Sequence, residues 1–199
     1  MVYRPASQGR CVVLVRHGET EWSRAARHTS VTDVELTDAG REQARRIGAE
    51  LVGHPFAHVF SSPRRRARET AALAGFAAPT VLPELAEWDY GPAEGLTTRE
   101  ISERVGHPWR VWTARPPDPV PAEDVADVGR RADAVIARLH EAGGDAVVFA
   151  HAHLLRILAA RWIGVPPGDG ALLALSTGTI SELGYEHDAP VLCRWNLEV

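Results

Sequence analysis

The chain alternates short, unbroken apolar runs with longer stretches whose apolar residues recur at helical spacing. Val12-Val13-Leu14-Val15 is the first run, and it stops abruptly at Arg16-His17-Gly18. Four aliphatic residues without a polar interruption predict a strand covered on both faces, with its polar residues emptied at the C-terminal end. Residues 21–35 show no sustained period and predict a loop over the strand ends. Thr37 then reads as the N-cap of a helix whose apolar face is Ala44, Ile47, Gly48 and Leu51, closed by Gly53. Residues 57–60 predict a second short strand. It runs into Ser62-Pro63, a favourable helix start because proline suits the first helical position. Ala67, Thr70, Ala71 and Ala74 give that helix a face of small residues for close packing on a sheet.

Residues 80–82 predict a third strand, and the loop-like residues 83–95 follow, rich in Glu, Trp, Tyr and Gly. Thr97 with Glu100 three residues on predicts a capping box at the next helix. Residues 106–121 are crowded with proline but carry Trp109 and Trp112, so they read as an ordered excursion with something to pack, not as a linker. Val125, Val128, Ala132, Val135, Ile136 and Leu139 trace a long amphipathic helix ending before Gly143. Residues 145–150 form a second buried strand, which ends in His151. Leu154, Leu155, Leu158 and Trp162 continue as a helix to Gly164, and residues 179–185 and 191–195 predict a closing antiparallel hairpin. The alternation of strand and helix predicts an α/β fold with a mostly parallel sheet, in one domain over residues 1–199.

Composition narrows the function classes. A length of 199 residues with 45% apolar content is enough for a real core. The net charge of −4 argues against a general nucleic-acid or membrane-surface role. Cys11 and Cys193 spell no disulfide framework and no cysteine-based metal site. Residues 1–10 are polar and carry Pro5 and Gly9, which is no secretory segment, and no run is long enough to span a bilayer. A soluble, cytoplasmic protein is the expectation.

Two buried strands therefore each end in a histidine, His17 and His151. In an open α/β sheet, ligands bind beyond the carboxyl ends of the strands. If the two strands are neighbours, both imidazoles face one crevice. Arg16 lies beside His17, and Arg66 sits in the first turns of a helix that itself begins at a strand end. Two planar guanidinium forks near a helix N-terminus suit the oxygens of a phosphate. Arg64, Arg65 and Arg68 read instead as a solvated basic face. Histidine attack on a phosphate ester also needs a proton for the departing oxygen. Glu84, Glu87, Asp89 and Glu94 are all candidates in the loop after the third strand, and spacing alone does not choose among them.

These residues carry a family resemblance. Arg16-His17-Gly18-Glu19-Thr20, Ser61-Ser62-Pro63 with Arg66-Ala67, Glu87-Trp88-Asp89-Tyr90-Gly91 and Phe149-Ala150-His151 resemble, in order, four motifs of the histidine phosphatase superfamily. That group contains cofactor-dependent phosphoglycerate mutases and many phosphatases. The resemblance implies a phosphoglycerate mutase-like fold, a three-layer α/β/α sandwich. It implies that His17 is the nucleophile, that Arg16, Arg66 and His151 bind the phosphoryl oxygens, and that Glu87 is the general acid and then the base. Ser23, Thr29 and Ala152 are placed beside the phosphate by the same likeness. A small phosphorylated substrate is the implied partner, and a homodimer is the expectation from the family and from how common two-fold dimers are. No metal and no cofactor are implied. The alternative, His151-Ala152-His153 as a metal pair with His17, lacks a carboxylate or cysteine at telling spacing.

The resemblance covers two chemistries. Mutases of the family carry an Arg-His pair after the catalytic Glu and a lysine downstream; here those neighbourhoods read Trp88-Asp89 and Thr97-Thr98. That favours water as acceptor and a phosphomonoesterase, similar to a bacterial acid-phosphatase-like branch. A mutase-type phosphotransferase and a non-catalytic phosphate-binding module are the competing readings. Two departures stand out: Ala152 where glycine is usual after the second histidine, and Ala122-Glu123-Asp124 where Gly-Glu-Ser is usual near the pocket mouth.

Overall fold

The computed structural model describes Tyr3, Pro5, Ala6 and residues 9–199. The reading of residues 1–10 as no secretory segment falls partly on Met1, Val2, Arg4, Ser7 and Gln8, which lie outside the described residues. Six strands form one mixed sheet: β1 (Val12–Arg16), β2 (His58–Ser61), β3 (Thr80–Val81), β4 (Ala146–Ala150), β5 (Thr179–Glu186) and β6 (Ala189–Glu198). Their order is β3-β2-β4-β1-β5-β6. The first four are mutually parallel, β5 runs antiparallel to β1, and β6 antiparallel to β5. The mostly parallel sheet and the closing hairpin expected from the pattern are both present.

Alternation along β1 and β4 sorts the core into two layers. Val13, Val15, Val147 and Phe149 pack on α2 (Asp38–Leu51) and α3 (Arg65–Leu73) through Ile47, Leu51 and Ala71. Val12, Leu14, Val148 and Ala150 face α5 (Val125–Ala142) and α6 (Ala152–Trp162) through Val128, Ala132, Leu155 and Leu158. Helices on both faces make the three-layer sandwich. Trp109 is buried in this second layer with its Nε1 donating to the Pro119 carbonyl at 3.0 Å, so residues 106–121 are anchored by packing. No helix among the described residues is long and apolar enough to cross a membrane.

Two local expectations are corrected. Residues 21–35 are not all loop, because α1 (Glu21–Arg24) forms there. Its turn is fixed by a capping box in which the Thr20 and Ser23 side chains each bond the other's backbone amide, a pattern too short to leave a periodic trace. Helix α3 begins at Arg65, not at Ser62-Pro63. Ser62 turns its hydroxyl toward His151 instead and accepts from the Arg64 amide at 3.2 Å. By contrast, the capping box of Thr97 and Glu100 opens α4 (Thr98–Val105) as the spacing predicts.

One close approach locks the segment after β1 to the helix layer. A β-carbon on Gly18 would fall inside the Gly40 carbonyl group, and one on Gly40 inside the backbone of Glu19. Glycine at both positions lets α2 start directly against the segment that follows β1.

Candidate active site

Strands β1 and β4 pair with Arg16 opposite Ala150, so His17 and His151 leave the sheet side by side. The His17 amide donates to the Ala150 carbonyl at 3.0 Å, and the two rings lie 5.2 Å apart. His17 Nδ1 is 2.8 Å from the Gly18 carbonyl oxygen. A carbonyl only accepts, so that nitrogen carries the proton and Nε2 keeps its lone pair. Burial, and then the charges of Arg66 and Arg16, hold the His17 imidazole well below its usual range. The ring is therefore neutral at pH 7, protonated on the side facing its own backbone.

The cationic floor is built from the neighbouring elements. Arg66 is fully buried in the first turn of α3, with Nη1 donating to Thr32 O and Nη2 to Thr29 O, both at 3.1 Å. The loop supplying those carbonyls is pinned by Glu94, which accepts from the Ser30 and Thr32 amides. Arg16 Nη1 donates to Leu175 O at 2.5 Å, and His151 Nε2 lies 2.7 Å from the Ser62 hydroxyl. After these bonds, Arg16 Nε, Arg66 Nε and His151 Nδ1 are buried without a partner among the described residues. Each such group costs about 1–3 kcal/mol when left unsatisfied. Three of them, next to a bare imidazole nitrogen, suit a ligand with several oxygens on one centre.

Glu87 comes from the loop after β3 and is nearly buried. Its Oε1 accepts from the Trp88 and Leu154 amides at 2.9 Å each, and Oε2 from the His153 amide at 3.1 Å. Two of those donors are free first-turn amides of α6, which is where a helix holds an anion. The Tyr90 hydroxyl bonds His153 Nδ1 at 2.6 Å, and burial, then the charge of Glu87, holds that phenol well above its usual range. Burial holds His151 and His153 well below the usual imidazole range as well, with nearby arginines adding to the effect. His17, Glu87 and Arg16 open onto a cavity of about 460 Å³.

The geometry and the order of motifs agree with a sequence comparison. The family model of the histidine phosphatase superfamily (branch 1) matches residues 12–198. The chain belongs to that superfamily.

This histidine phosphatase is 43% identical over 183 residues to an acid phosphatase of Mycobacterium tuberculosis, covering 88% of this chain and 87% of the relative. It is 34% identical over 193 residues to a sedoheptulose 1,7-bisphosphatase of Saccharomyces cerevisiae, covering 81% of this chain and 70% of that one. Among solved structures, an open reading frame product of M. tuberculosis superposes with a TM-score of 0.87 at 42% identity, over 95% of this chain and 98% of the other. A mycobacterial glucosyl-3-phosphoglycerate phosphatase, solved as a complex with VO3, gives a TM-score of 0.80 at 26% identity, over 94% and 98% of the two chains.

The structure brings the five central residues of the histidine phosphatase pattern together, with distinctions of depth. Arg16, His17, Glu87, Ala152, Ser23 and Thr29 line the cavity, whereas Arg66 and His151 lie beneath it. Ser23 Oγ is already engaged, accepting from the Thr20 amide at 2.8 Å and donating to the Thr20 carbonyl at 3.0 Å. Thr29 Oγ donates to Arg27 O at 2.9 Å. Ala122-Glu123-Asp124 is not at the mouth. Glu123 bonds Arg131 and the Asp89 amide, and Asp124 caps α5. His153 turns its Nδ1 to the Tyr90 hydroxyl at 2.6 Å. Trp112 also lines the cavity, as do His28, Tyr90 and Arg156, which spacing along the chain does not single out. One signal was available: Arg156 stands four residues after Ala152 on the same helix, so both lie on one face.

Proposed function

We propose that this protein is a metal-independent phosphomonoesterase acting on small phosphorylated metabolites through a phosphohistidine on His17. The observation that carries it is the fixed His17 tautomer: Nδ1–H is held by Gly18 O, and Nε2 stands bare beside Arg16 and His151. Nε2 attacks phosphorus, and the bond to the ester oxygen breaks. The departing oxygen takes its proton from Glu87, the carboxyl group in the same cavity. A water then attacks the phosphohistidine and gives its proton to Glu87. Inorganic phosphate forms and the neutral imidazole returns. Arg16, Arg66 and His151 stabilise the charge on the equatorial oxygens in both steps, the part a metal plays in other phosphoryl-transfer sites.

Family membership and an acid phosphatase relative at 43% identity support phosphatase chemistry. Trp88 supports water as the acceptor, because its indole is buried and bonded to Glu123 O at 2.8 Å and offers no cation for a second phospho-acid. Release of phosphate from an aryl phosphate in the presence of a chelator is the test, with His17→Ala run alongside. Turnover should fall by roughly four orders of magnitude or more in the variant. Near-wild-type rates from His17→Ala, or complete loss of wild-type activity on chelation, would overturn the reading.

A further inference from the structure

The N-terminal ends of β1 and β4 carry a second convergence of reactive side chains, remote from the cavity. Cys11 comes just before β1, His54 after α2, and Asp145 just before β4, and each turns one donor atom to a common point. The thiol sulfur, an imidazole nitrogen and a carboxylate oxygen all lie within 4.8 Å of one another, the one such group of three among the described residues. Asp145 Oδ2 is 2.8 Å from His54 Nε2, while Oδ1 accepts from the Cys11 amide at 2.9 Å. The imidazole is held in turn by the Tyr3 ring, edge-on at 5.5 Å, and by Phe56 at 4.4 Å. None of the three lines the cavity, and the five residues of β1 put about 17 Å between the two places.

The donor set is chemically specific. Thiolate, imidazole and carboxylate together suit zinc, whereas magnesium and calcium take oxygen ligands. Neighbouring donors in a tetrahedral zinc site stand about 3.5 Å apart, so side-chain rotations of about an ångström bring these three to that spacing. One thiolate and one carboxylate also cancel the two charges of the ion. The assembled site is then neutral, which suits a place where Cys11 is fully buried. The Cys11 amide on Asp145 Oδ1 supplies the outer hydrogen bond that orients a ligating carboxylate. We propose that Cys11, His54 and Asp145 form a zinc site that staples the starts of β1 and β4 to the segment after α2. Asp145 is the most exposed of the three, and the fourth position on its side is left to water. Binding displaces hydrogens: the thiol loses its proton to solvent, and His54 carries its hydrogen on Nδ1 once Nε2 takes the ion. The ligands come from three distant segments, so no Cys-x-x-Cys spacing marks the site in the sequence. The site is structural and stands independently of the chemistry at His17.

Cobalt(II), a spectroscopic stand-in for zinc, reads the site without an activity assay. The full chain, stripped with a chelator and desalted, should show a thiolate-to-cobalt charge-transfer band in the near ultraviolet, and added zinc should abolish it. Cys193→Ser removes the other thiol and should retain the band, whereas Cys11→Ser should lose it. Calorimetric titration with zinc, repeated in buffers of different ionisation enthalpy, should show about one proton released per ion. Affinity should fall at least about a hundredfold in His54→Gln. With free zinc at about a hundred times Kd, the folded-to-unfolded ratio in a urea titration should rise about a hundredfold. Absence of the band in the wild type overturns the site, as does a band that survives Cys11→Ser or vanishes in Cys193→Ser. An unmoved urea midpoint overturns the staple. The wild-type spectrum and midpoint decide the matter even if a Cys11 or His54 variant fails to fold.

Discussion

The two ends of β1 and β4 present similar residue types and treat them in opposite ways. At the N-terminal end, Asp145 accepts from the Cys11 amide at 2.9 Å and bonds His54 Nε2 at 2.8 Å, while its own carbonyl accepts from the Ala57 and His58 amides. The polar groups there close on one another and tie three chain segments together. At the C-terminal end, Arg16 Nε, Arg66 Nε and His151 Nδ1 stay buried without a partner among the described residues. The first arrangement is a bracket whose return is stability. The second gives up stability by leaving polar nitrogens unpaired, as sites poised for binding commonly do.

Breaking each end separately sharpens the contrast. The largest effect after loss of His17 should come from Glu87→Gln. Turnover of substrates with poor leaving groups should drop by about 10²–10⁴-fold, while the first step with a good leaving group is spared. Burst kinetics on a pair of aryl and alkyl phosphates would show it, and an equal loss on both would remove Glu87 as proton donor. Asp145→Ala should do the reverse, costing about 1–3 kcal/mol in a urea titration with kcat nearly unchanged. A marked loss of kcat in that variant would mean that the two ends are coupled.

The smallest effect is a pH trend. Burial depresses the folded-state values of His17, His151 and His153 below the ordinary 6.5. Their contribution is thus fully present above that pH and is lost as pH falls through it, because the unfolded chain takes up protons that the folded one refuses. The urea midpoint should fall between pH 7 and 5, and His151→Asn should flatten the fall. A midpoint rising toward pH 5 would contradict the burial argument.

The same contrast explains what the sequence made legible. The apolar runs at Val12 and Ala146 locate both strands, and the histidines that end them meet because those strands are neighbours. The family motifs then single out Glu87 from four acids that spacing left equal. The bracket was invisible: His54 reads as a surface histidine and Cys11 as merely apolar, because their link to Asp145 crosses about ninety and more residues of chain. The outer cavity wall was hidden for a related reason. Trp112, Arg156 and His28 come from an irregular excursion, a helix and a loop, and tertiary packing alone sets them facing one another. Trp88 and Trp109 are packing anchors, and neither lines the cavity.

The contact between Gly18 and Gly40 has a consequence for how this sequence can change over time. Each position excludes a side chain because of the other segment's main chain, not because of a neighbouring side chain that could shrink in step. A substitution at one therefore has no compensating partner, and drift cannot pass through the pair by paired replacement. The approach of α2 to the segment that follows β1 is inherited as a fixed joint.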